Sequence, residues 1–327
     1  MENVFVVNPK AGRGIDAADY SAYIEKEAEK CGQSAQIYVT KSVGDGERFV
    51  REFAEKSDGR EIRIYSCGGD GTFNEVINGG IGYPNISFGI IPIGTGNDFC
   101  RNFSDCGDFL SVEEQLFGEE VLCDTIKYSG TVNGNYVEKY CANMFNIGFD
   151  ANVCDMAAKL KKYSLTRGSF AYTLSSFMIL VKKKGASLKI ESDGKTVYDG
   201  RLLLTSIANG SFCGGGIKSN PYANVSNGKV NVNVIKNISR TKFLSIFPKY
   251  TKGIHMNTKN IEKTIFNFNC EKLTVTPVTK TMKLCVDGEI YEAEKMEFET
   301  VPQSIKIIVP KSKESAESKD SVFNSVI

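Results

Sequence analysis

The sequence contains a single histidine, His255, and this scarcity limits the chemistry that its 327 residues can perform. Hydrolysis by a Ser/His/Asp triad and zinc sites built from several histidines are excluded. His255 itself lies in a polar stretch flanked by lysines, which predicts a solvated surface residue. Any catalysis by this chain must therefore rest on carboxylates, backbone amides and a hard metal ion.

The ten cysteines include no Cys-x-x-Cys pair, so neither a zinc ribbon nor a redox motif is indicated. Cys67, Cys141 and Cys285 lie in apolar, strand-like runs, where a free cysteine acts as a small hydrophobic residue. The sequence opens on the strand-like run 4–7 and shows no signal-peptide pattern. We therefore expect reduced thiols and a cytoplasmic protein.

The sequence also lacks a large net charge of either sign, because it has 40 basic and 39 acidic residues and a formal charge of +1. This balance argues against a nucleic-acid partner, and any attraction to a membrane must come from local patches. A helix predicted over 152–184 has an apolar core, 177–181, that is far too short to span a bilayer. It is either a core-packing helix with solvated lysines or one whose basic flanks approach anionic lipid headgroups.

Strand and helix signals alternate over the first 125 residues, which predicts an α/β domain with a parallel sheet covered on both faces. The predicted strands are 4–8, 35–39, 62–67 and 86–91, and the predicted helices are 15–31, 46–56 and one that starts at about residue 72.

Beyond residue 124 the pattern becomes that of an antiparallel β domain. Val230, Val232 and Val234 alternate with Asn231 and Asn233, which predicts a half-buried strand. The run 282–287 alternates in the same way, and 202–208 is typical of a more fully buried strand. We predict a first domain over 1–125 with a returning segment at about 300–327, a second over 126–299, and disorder over 311–327.

The first of three glycine-rich segments follows the first strand and runs from Asn8 to Gly14. Pro9 ends the strand, and Gly12 and Gly14 permit close approach of the backbone. Lys10 and Arg13 place positive charge near a helix start, where anions bind well. Loops of this kind are common in α/β proteins, so this segment alone does not identify a phosphate site.

The second segment, Gly68-Gly69-Asp70-Gly71-Thr72, follows a buried strand and opens a helix. Its glycines let backbone N–H groups face a ligand, and Asp70 stands at a strand end, where doubly wound sheets place their ligands. A carboxylate beside phosphates requires Mg²⁺ between them. The alternative is a structural turn in which Asp70 caps the helix.

The third segment, 92–99, again has small residues between a strand and a helix, and Asp98 is a second candidate acidic group near a metal. None of the three segments fits Gly-x4-Gly-Lys-Ser/Thr or Gly-x-Gly-x-x-Gly. A P-loop and a Rossmann dinucleotide site are therefore not supported.

GGDGTFNE and PIGTGNDF, in this order and spacing, resemble the diacylglycerol kinase catalytic family, which includes bacterial soluble diacylglycerol kinases, phosphatidylglycerol-type lipid kinases and sphingosine kinases. The similarity extends to VVNPKAGRG, to 148–151, to 208–216 and to Val286-Asp287-Gly288-Glu289. GGDGT alone is shared with NAD kinases, whereas its combination with GTGNDF and a late DGE is specific to the lipid kinases.

The resemblance implies a nucleotide-binding α/β domain like that of NAD kinase and phosphofructokinase, followed by an antiparallel β-sandwich. It implies that ATP phosphorylates a lipid alcohol, with diacylglycerol converted to phosphatidic acid. It places Asp70 near the catalytic Mg²⁺, possibly through water, and the general base at Asp287 or Glu289. With the residues argued above, the candidate nucleotide site is Asn8, Pro9, Lys10, Ala11, Gly12, Arg13, Thr40, Gly68, Gly69, Asp70, Gly71, Thr72, Phe73, Asn74, Gly94, Thr95, Asn97 and Asp98.

Two features leave the interpretation open. Asp-Gly between apolar alternations is also typical of a hairpin turn, so Asp287 can have a structural role. Related enzymes carry a structural Mg²⁺ loop with an aspartate where this chain has Asn227. Asn224, Asn227 and Lys229 are the candidates for that loop here, and an amide oxygen is a weaker Mg²⁺ ligand than a carboxylate.

The expected partners are a lipid alcohol and the inner face of a membrane, bound peripherally, with no nucleic acid; a homodimer is compatible with the sequence. One alternative function is an NAD kinase acting on a soluble dinucleotide. Another is a regulator that binds nucleotide or lipid without catalysis, against which the presence of Asp70, Asp98, Asp287 and Glu289 together argues.

Overall fold

The computed structural model describes residues 2–12, 14–103, 106–149, 151–152 and 185–311. Arg13, almost all of the helix predicted over 152–184 and almost all of the disorder predicted over 311–327 lie outside these ranges. The chain divides into two compact units, Met1–Cys123 with Gln303–Ile327, and Asp124–Pro302.

The first unit is a parallel sheet flanked by helices. Its elements are β1 (Glu2–Val7), α1 (Ala17–Lys30), β2 (Gln36–Val39), α2 (Asp45–Glu55), β3 (Ile62–Cys67), α3 (Asp70–Gly80), β4 (Ile86–Ile91) and α4 (Val112–Leu116). The strand order is β2-β1-β3-β4, with the end of β14 (Glu289–Val309) parallel to β4. Because all neighbouring strands are parallel, the loops after β1, β3 and β4 leave the same edge of the sheet.

The second unit is antiparallel. Its remaining strands are β5 (Glu119–Val132, which begins in the first unit), β6 (Asn135–Cys141), β7 (Met144–Gly148), β8 (Ala186–Ser192), β9 (Lys195–Ala208), β10 (Val230–Lys236), β11 (Ile265–Cys270), β12 (Lys272–Pro277) and β13 (Met282–Val286). Strands β11-β10-β9-β7-β13 form one ladder, which α5 (Arg240–Thr251) covers on one face. A buried core that includes Phe145, Val232 and Phe298 fills the other face. The predicted combination of an α/β domain and a β-sandwich is confirmed.

Strand β10 is buried on both faces, so the prediction of a half-buried strand is wrong. The two asparagines that suggested a solvent-facing side are buried because their amides find partners. Asn231 Nδ2 donates to Asn267 Oδ1 at 2.8 Å and to Asn269 Oδ1 at 2.7 Å. Asn233 Nδ2 donates to the Ser219 carbonyl at 3.0 Å. Asn231, Asn233 and their partners therefore form a buried polar layer on this face of the sheet.

His255 is also buried, with none of its surface exposed, so the prediction of a solvated histidine is wrong. Its ring packs against Tyr250 at 5.0 Å between centroids, and its Nε2 lies 3.4 Å from Asn233 Nδ2. Burial lowers the pKa of His255 to about 4. The ring is neutral at pH 7 and belongs to the buried polar layer.

Candidate functional site

The three glycine-rich loops of the first unit contact one another through backbone and short side chains. Gly94 N donates to the Gly68 carbonyl at 3.0 Å, and a Cβ on Gly94 would lie 2.3 Å from Gly69 Cα. Asn8 Nδ2 donates to Thr72 Oγ1 at 2.9 Å. Gly12 has φ +59°, and a Cβ there would lie 2.6 Å from the Ile93 carbonyl oxygen. The structure thus brings the predicted loops together, and only glycine permits this spacing.

Helix α3 begins inside the second loop, with Gly69 as its N-cap and no side-chain oxygen accepting from its first amides. Asp70 is the first helical residue, so the alternative in which Asp70 caps the helix is wrong. Thr72, one turn in, lies against Gly68, where a Cβ would be 2.4 Å from Thr72 Oγ1. The helix therefore presents amide groups and its positive dipole end beside Asp70, the acidic residue of its first turn.

The Asp70 carboxylate is half-buried and lies against the third loop. Its Oδ1 accepts from Asp98 N at 2.8 Å and from Phe99 N at 3.3 Å. Burial raises the pKa of the Asp70 carboxyl, and the backbone amides of Phe99, Asp98 and Asn97 oppose the shift. This carboxylate is held in one place by bonds that do not depend on a ligand.

Gly96 brings two carboxylate oxygens close to one position of the third loop. A Cβ at this position would lie 2.8 Å from Asp70 Oδ2 and 3.5 Å from Asp98 Oδ2. Asp98 is buried, and its Oδ1 lies 3.6 Å from Arg101 Nε. Two neighbouring carboxylate oxygens suit a hard cation such as Mg²⁺, which takes its other ligands from water and phosphate. The described residues hold no cluster of three or more acidic, cysteine or histidine side chains that would form a complete metal cage.

In the second unit, Asp287 and Gly288 form the two-residue turn between β13 and β14, both with positive φ (44° and 93°). This is the hairpin that an Asp-Gly pair favours. The alternating run predicted over 282–287 ends as a strand at Val286, so Asp287 belongs to the turn. Asp287 Oδ1 accepts from Met144 N at 3.0 Å and Oδ2 from Cys141 Sγ at 3.2 Å.

Glu289 lies on the exposed side of the same hairpin. Its Oε2 accepts from the Tyr291 hydroxyl at 2.5 Å. Of the two acidic residues, Asp287 has both oxygens in hydrogen bonds with residues of β6 and β7, whereas the Glu289 side chain is exposed. The geometry therefore separates a carboxylate engaged in the turn from an exposed one.

Both units match known family models. Residues 2–126 match the diacylglycerol kinase catalytic domain, and residues 143–309 match the YegS C-terminal NAD kinase beta sandwich-like domain. The chain belongs to the diacylglycerol kinase-like lipid kinases. It is an enzyme of that family rather than a binding module alone.

Among its relatives is a diacylglycerol kinase of Bacillus subtilis, 27% identical over 314 residues that cover 94% of this chain and 96% of that protein. A diacylglycerol kinase of Staphylococcus saprophyticus is 27% identical over 308 residues, or 93% and 94% of the two chains. A crystal structure of a Bacillus anthracis diacylglycerol kinase superposes with a TM-score of 0.65 at 21% identity, covering 94% and 96%. At that identity the structural match supports the fold alone.

The remaining residues predicted to bind the nucleotide differ in exposure and in the contacts that they make within this lipid kinase. Lys10 and Thr95 are exposed, and Thr40 is buried beside the end of β1, where its N donates to the Val7 carbonyl at 2.9 Å. Asn97 has φ +55°, and its Nδ2 donates to the Pro92 carbonyl at 2.7 Å, so it shapes the third loop. Phe73 is buried against Phe99 at 5.0 Å and packs beneath the loops.

The structural Mg²⁺ proposed for the loop with Asn224, Asn227 and Lys229 stays a prediction, because the amide oxygens lie in local turns. Asn224 Oδ1 accepts from Ser226 N at 2.9 Å, and Asn227 Oδ1 accepts from Lys229 N at 3.1 Å. Both amide oxygens are thus used within local turns, and Lys229 is exposed. The buried carboxylate of Asp124 holds this loop through a 2.6 Å bond from Gly228 N. We derive no step through a metal here.

Sequence reasoning missed residues whose partners are distant in the chain. Glu75, the last residue of GGDGTFNE, accepts from Gly44 N at 2.8 Å and Gly46 N at 3.1 Å and so ties the start of α2 to α3. Asp124 and Cys141 act in the same way in the second unit. No local pattern identifies such residues.

In the described part of the chain, no helix is long and apolar enough to cross a membrane.

Proposed function

We propose that the protein transfers the γ-phosphoryl group of Mg-ATP to the primary hydroxyl of diacylglycerol, giving phosphatidic acid. The observation that supports this proposal is the approach of Asp70 Oδ2 and Asp98 Oδ2 to one position at Gly96, beside the start of α3, whose N-cap is Gly69. Anionic phosphates and a hard cation are the ligands that such a combination of amides and carboxylates would take.

In this proposal the three loops bind and orient the triphosphate. The amides at the start of α3 would hold phosphate oxygens, and Lys10 would add positive charge from the first loop. Asp70 and Asp98 would hold Mg²⁺, which would supply neutralisation of the charge that develops on the phosphate oxygens. Because Asp70 is already fixed by two backbone amides, little reorganisation would be needed on binding.

Glu289 would take the proton from the attacking hydroxyl. It is the accessible carboxylate of the Asp287-Gly288-Glu289 turn, and Asp287 would keep the turn in place. The hydroxyl oxygen then forms a bond to the γ-phosphorus, the bond to the β–γ bridging oxygen breaks, and ADP leaves. Base assistance of this kind contributes about 10²–10⁴-fold, and positioning and charge neutralisation supply the rest.

A direct test is phosphorylation by γ-labelled ATP of a panel of acceptors in neutral mixed micelles. The panel holds diacylglycerol, phosphatidylglycerol, a polyprenol, a sphingoid base and, without lipid, NAD. We expect diacylglycerol to be labelled fastest and labelling to stop when Mg²⁺ is chelated. Labelling of NAD alone would replace the proposal by the NAD kinase alternative, and rapid labelling of a different lipid would correct the acceptor.

A further inference from the structure

The charge of this protein is distributed unevenly along the chain. Residues 236–263 hold seven basic side chains and one acidic one, a formal charge of +6, while the whole chain carries +1. The basic residues are Lys236, Arg240, Lys242, Lys249, Lys252, Lys259 and Lys263, and the acidic one is Glu262. The remaining residues therefore carry a formal charge of −5. A local basic surface is present in a chain that is nearly neutral as a whole.

Helix α5 forms the centre of this surface. Phe243, Ile246 and Tyr250 are buried and pack against the sheet of the second unit. Lys242, Leu244, Pro248 and Lys249 are exposed on the opposite side of the helix, with no acidic residue among them. The helix is thus anchored through one side and presents the other to solvent.

The end of α5 is fixed so that its last basic and apolar residues stay near the helix. Gly253 has φ +72° and donates to the Tyr250 carbonyl at 3.1 Å, while Ile254 N donates to the Lys249 carbonyl at 3.0 Å. These two hydrogen bonds together form a Schellman motif. We define the basic face as Lys242, Leu244, Lys249, Lys252 and Ile254.

The lysines of the basic face differ from three other lysines of the same unit, which pair with carboxylates. Lys127, Lys272 and Lys295 pair with Glu138, Glu299 and Glu297 at 2.7–2.9 Å. Within the residues that the structure describes, Lys242, Lys249 and Lys252 form no ion pair with a carboxylate. Their charge remains available to an external anion.

Exposed apolar side chains interrupt the lysines. Leu244 is 53% exposed and Ile254 is 48% exposed. Lysines alone would suit any polyanion, but large apolar side chains set among them suit the boundary between lipid headgroups and acyl chains. We propose that the basic face docks the protein onto the surface of an anionic lipid bilayer. This inference rests on the proposed function, because docking would bring the enzyme to the membrane surface that holds its lipid acceptor.

The contribution of each lysine can be measured. A basic residue near an anionic membrane contributes about 1 kcal/mol, or about fivefold in partitioning. Lys242→Gln, Lys249→Gln and Lys252→Gln combined should weaken binding about 100-fold. The substitutions lie on an exposed helix side, so the fold should be retained. Leu244→Gln should weaken binding several-fold without changing its dependence on salt.

The experiment is co-sedimentation of the full chain with vesicles of phosphatidylglycerol and phosphatidylcholine, or of phosphatidylcholine alone, at increasing NaCl. We expect binding to the anionic vesicles only, weakening with salt. The matched control combines Lys127→Gln, Lys272→Gln and Lys295→Gln. It removes the same charge from lysines that are already paired, and it should bind nearly as the unmodified protein does.

Failure of the docking and failure of the proposed reaction are distinguishable. Lipid phosphorylation in neutral micelles should be equal in the Lys242/Lys249/Lys252 variant and the unmodified protein. Three outcomes would overturn the docking: no binding to anionic vesicles by an active enzyme, equal losses in the two triple variants, or tighter binding to duplex DNA than to the vesicles. Vesicle binding by a protein that labels no lipid would support the docking and remove the reaction.

Discussion

In the first unit the Asp70 carboxylate is half-buried and accepts from two backbone amides, whereas in the second unit the Glu289 carboxylate is exposed and accepts from a tyrosine hydroxyl. Burial raises the pKa of the Asp70 carboxyl and so disfavours its charge, which a bound cation would restore.

In the proposed reaction these two environments give the same functional group two purposes. A carboxylate that holds a cation gains from rigidity, since its position determines where charge is neutralised. A carboxylate that accepts a proton needs contact with the substrate and freedom to approach it. Substitutions of Asp70 and of Glu289 should therefore change turnover and stability in different ways.

The largest effect is expected for Asp70→Asn, which should lower turnover by about 10³-fold or more through loss of charge stabilisation. The stability of the Asp70→Asn variant, by contrast, should not fall. Because the pKa of Asp70 is raised in the folded state, its contribution to stability is full below the unfolded pKa and is lost as pH rises through the folded pKa. At pH 7 the melting temperature of the variant should equal or exceed that of the unmodified protein, and a clear decrease would contradict the burial argument.

The next effect separates the two acidic residues of the hairpin. Glu289→Gln should lower kcat by about 10²–10⁴-fold with an unchanged KM for ATP and an unchanged free energy of unfolding. Asp287→Asn should instead lower the free energy of unfolding by about 1–3 kcal/mol, because the Cys141 thiol loses a carboxylate acceptor. Steady-state kinetics with urea unfolding of both variants tests this. Full activity of Glu289→Gln would remove the assignment of the base.

The smallest effect concerns a buried group with no part in the reaction, His255. Its pKa is lowered to about 4 in the folded state, so its contribution to stability is full above the unfolded pKa and is lost as pH falls through the folded pKa. Between pH 7.5 and 4 this loss amounts to about 3 kcal/mol. His255→Gln should lack it, so the stability difference between the two proteins should shrink by that amount in urea titrations. A constant difference would show that the ring is solvated after all.

Local patterns were enough to predict the skeleton of the first unit. Strands β3 and β4 have the predicted bounds, 62–67 and 86–91, because short apolar runs between turn residues determine a buried parallel strand. The glycine-rich loops meet as expected because parallel strands end at one edge. The roles of Asp70 and Glu289 in chemistry stay predictions.

The errors about burial lie at polar residues that find partners in the interior. Asn231 and Asn233 alternate with valines as solvent-facing residues do, but Asn267, Asn269 and the Ser219 carbonyl satisfy them in the interior. His255 is buried against Tyr250 although its sequence neighbours are polar. One sequence does not reveal which distant amide will be opposite, so burial was misjudged at these positions.

The contact of Gly94 with Gly69 has a consequence for sequence variation. Since a single added methyl group at position 94 would lie 2.3 Å from Gly69 Cα, selection for folding alone should retain glycine there. Thr95, next in the chain, is exposed and should accept many residues under the same selection. A saturation library scored once for soluble expression and once for turnover would therefore separate positions kept for steric reasons from positions kept for chemistry.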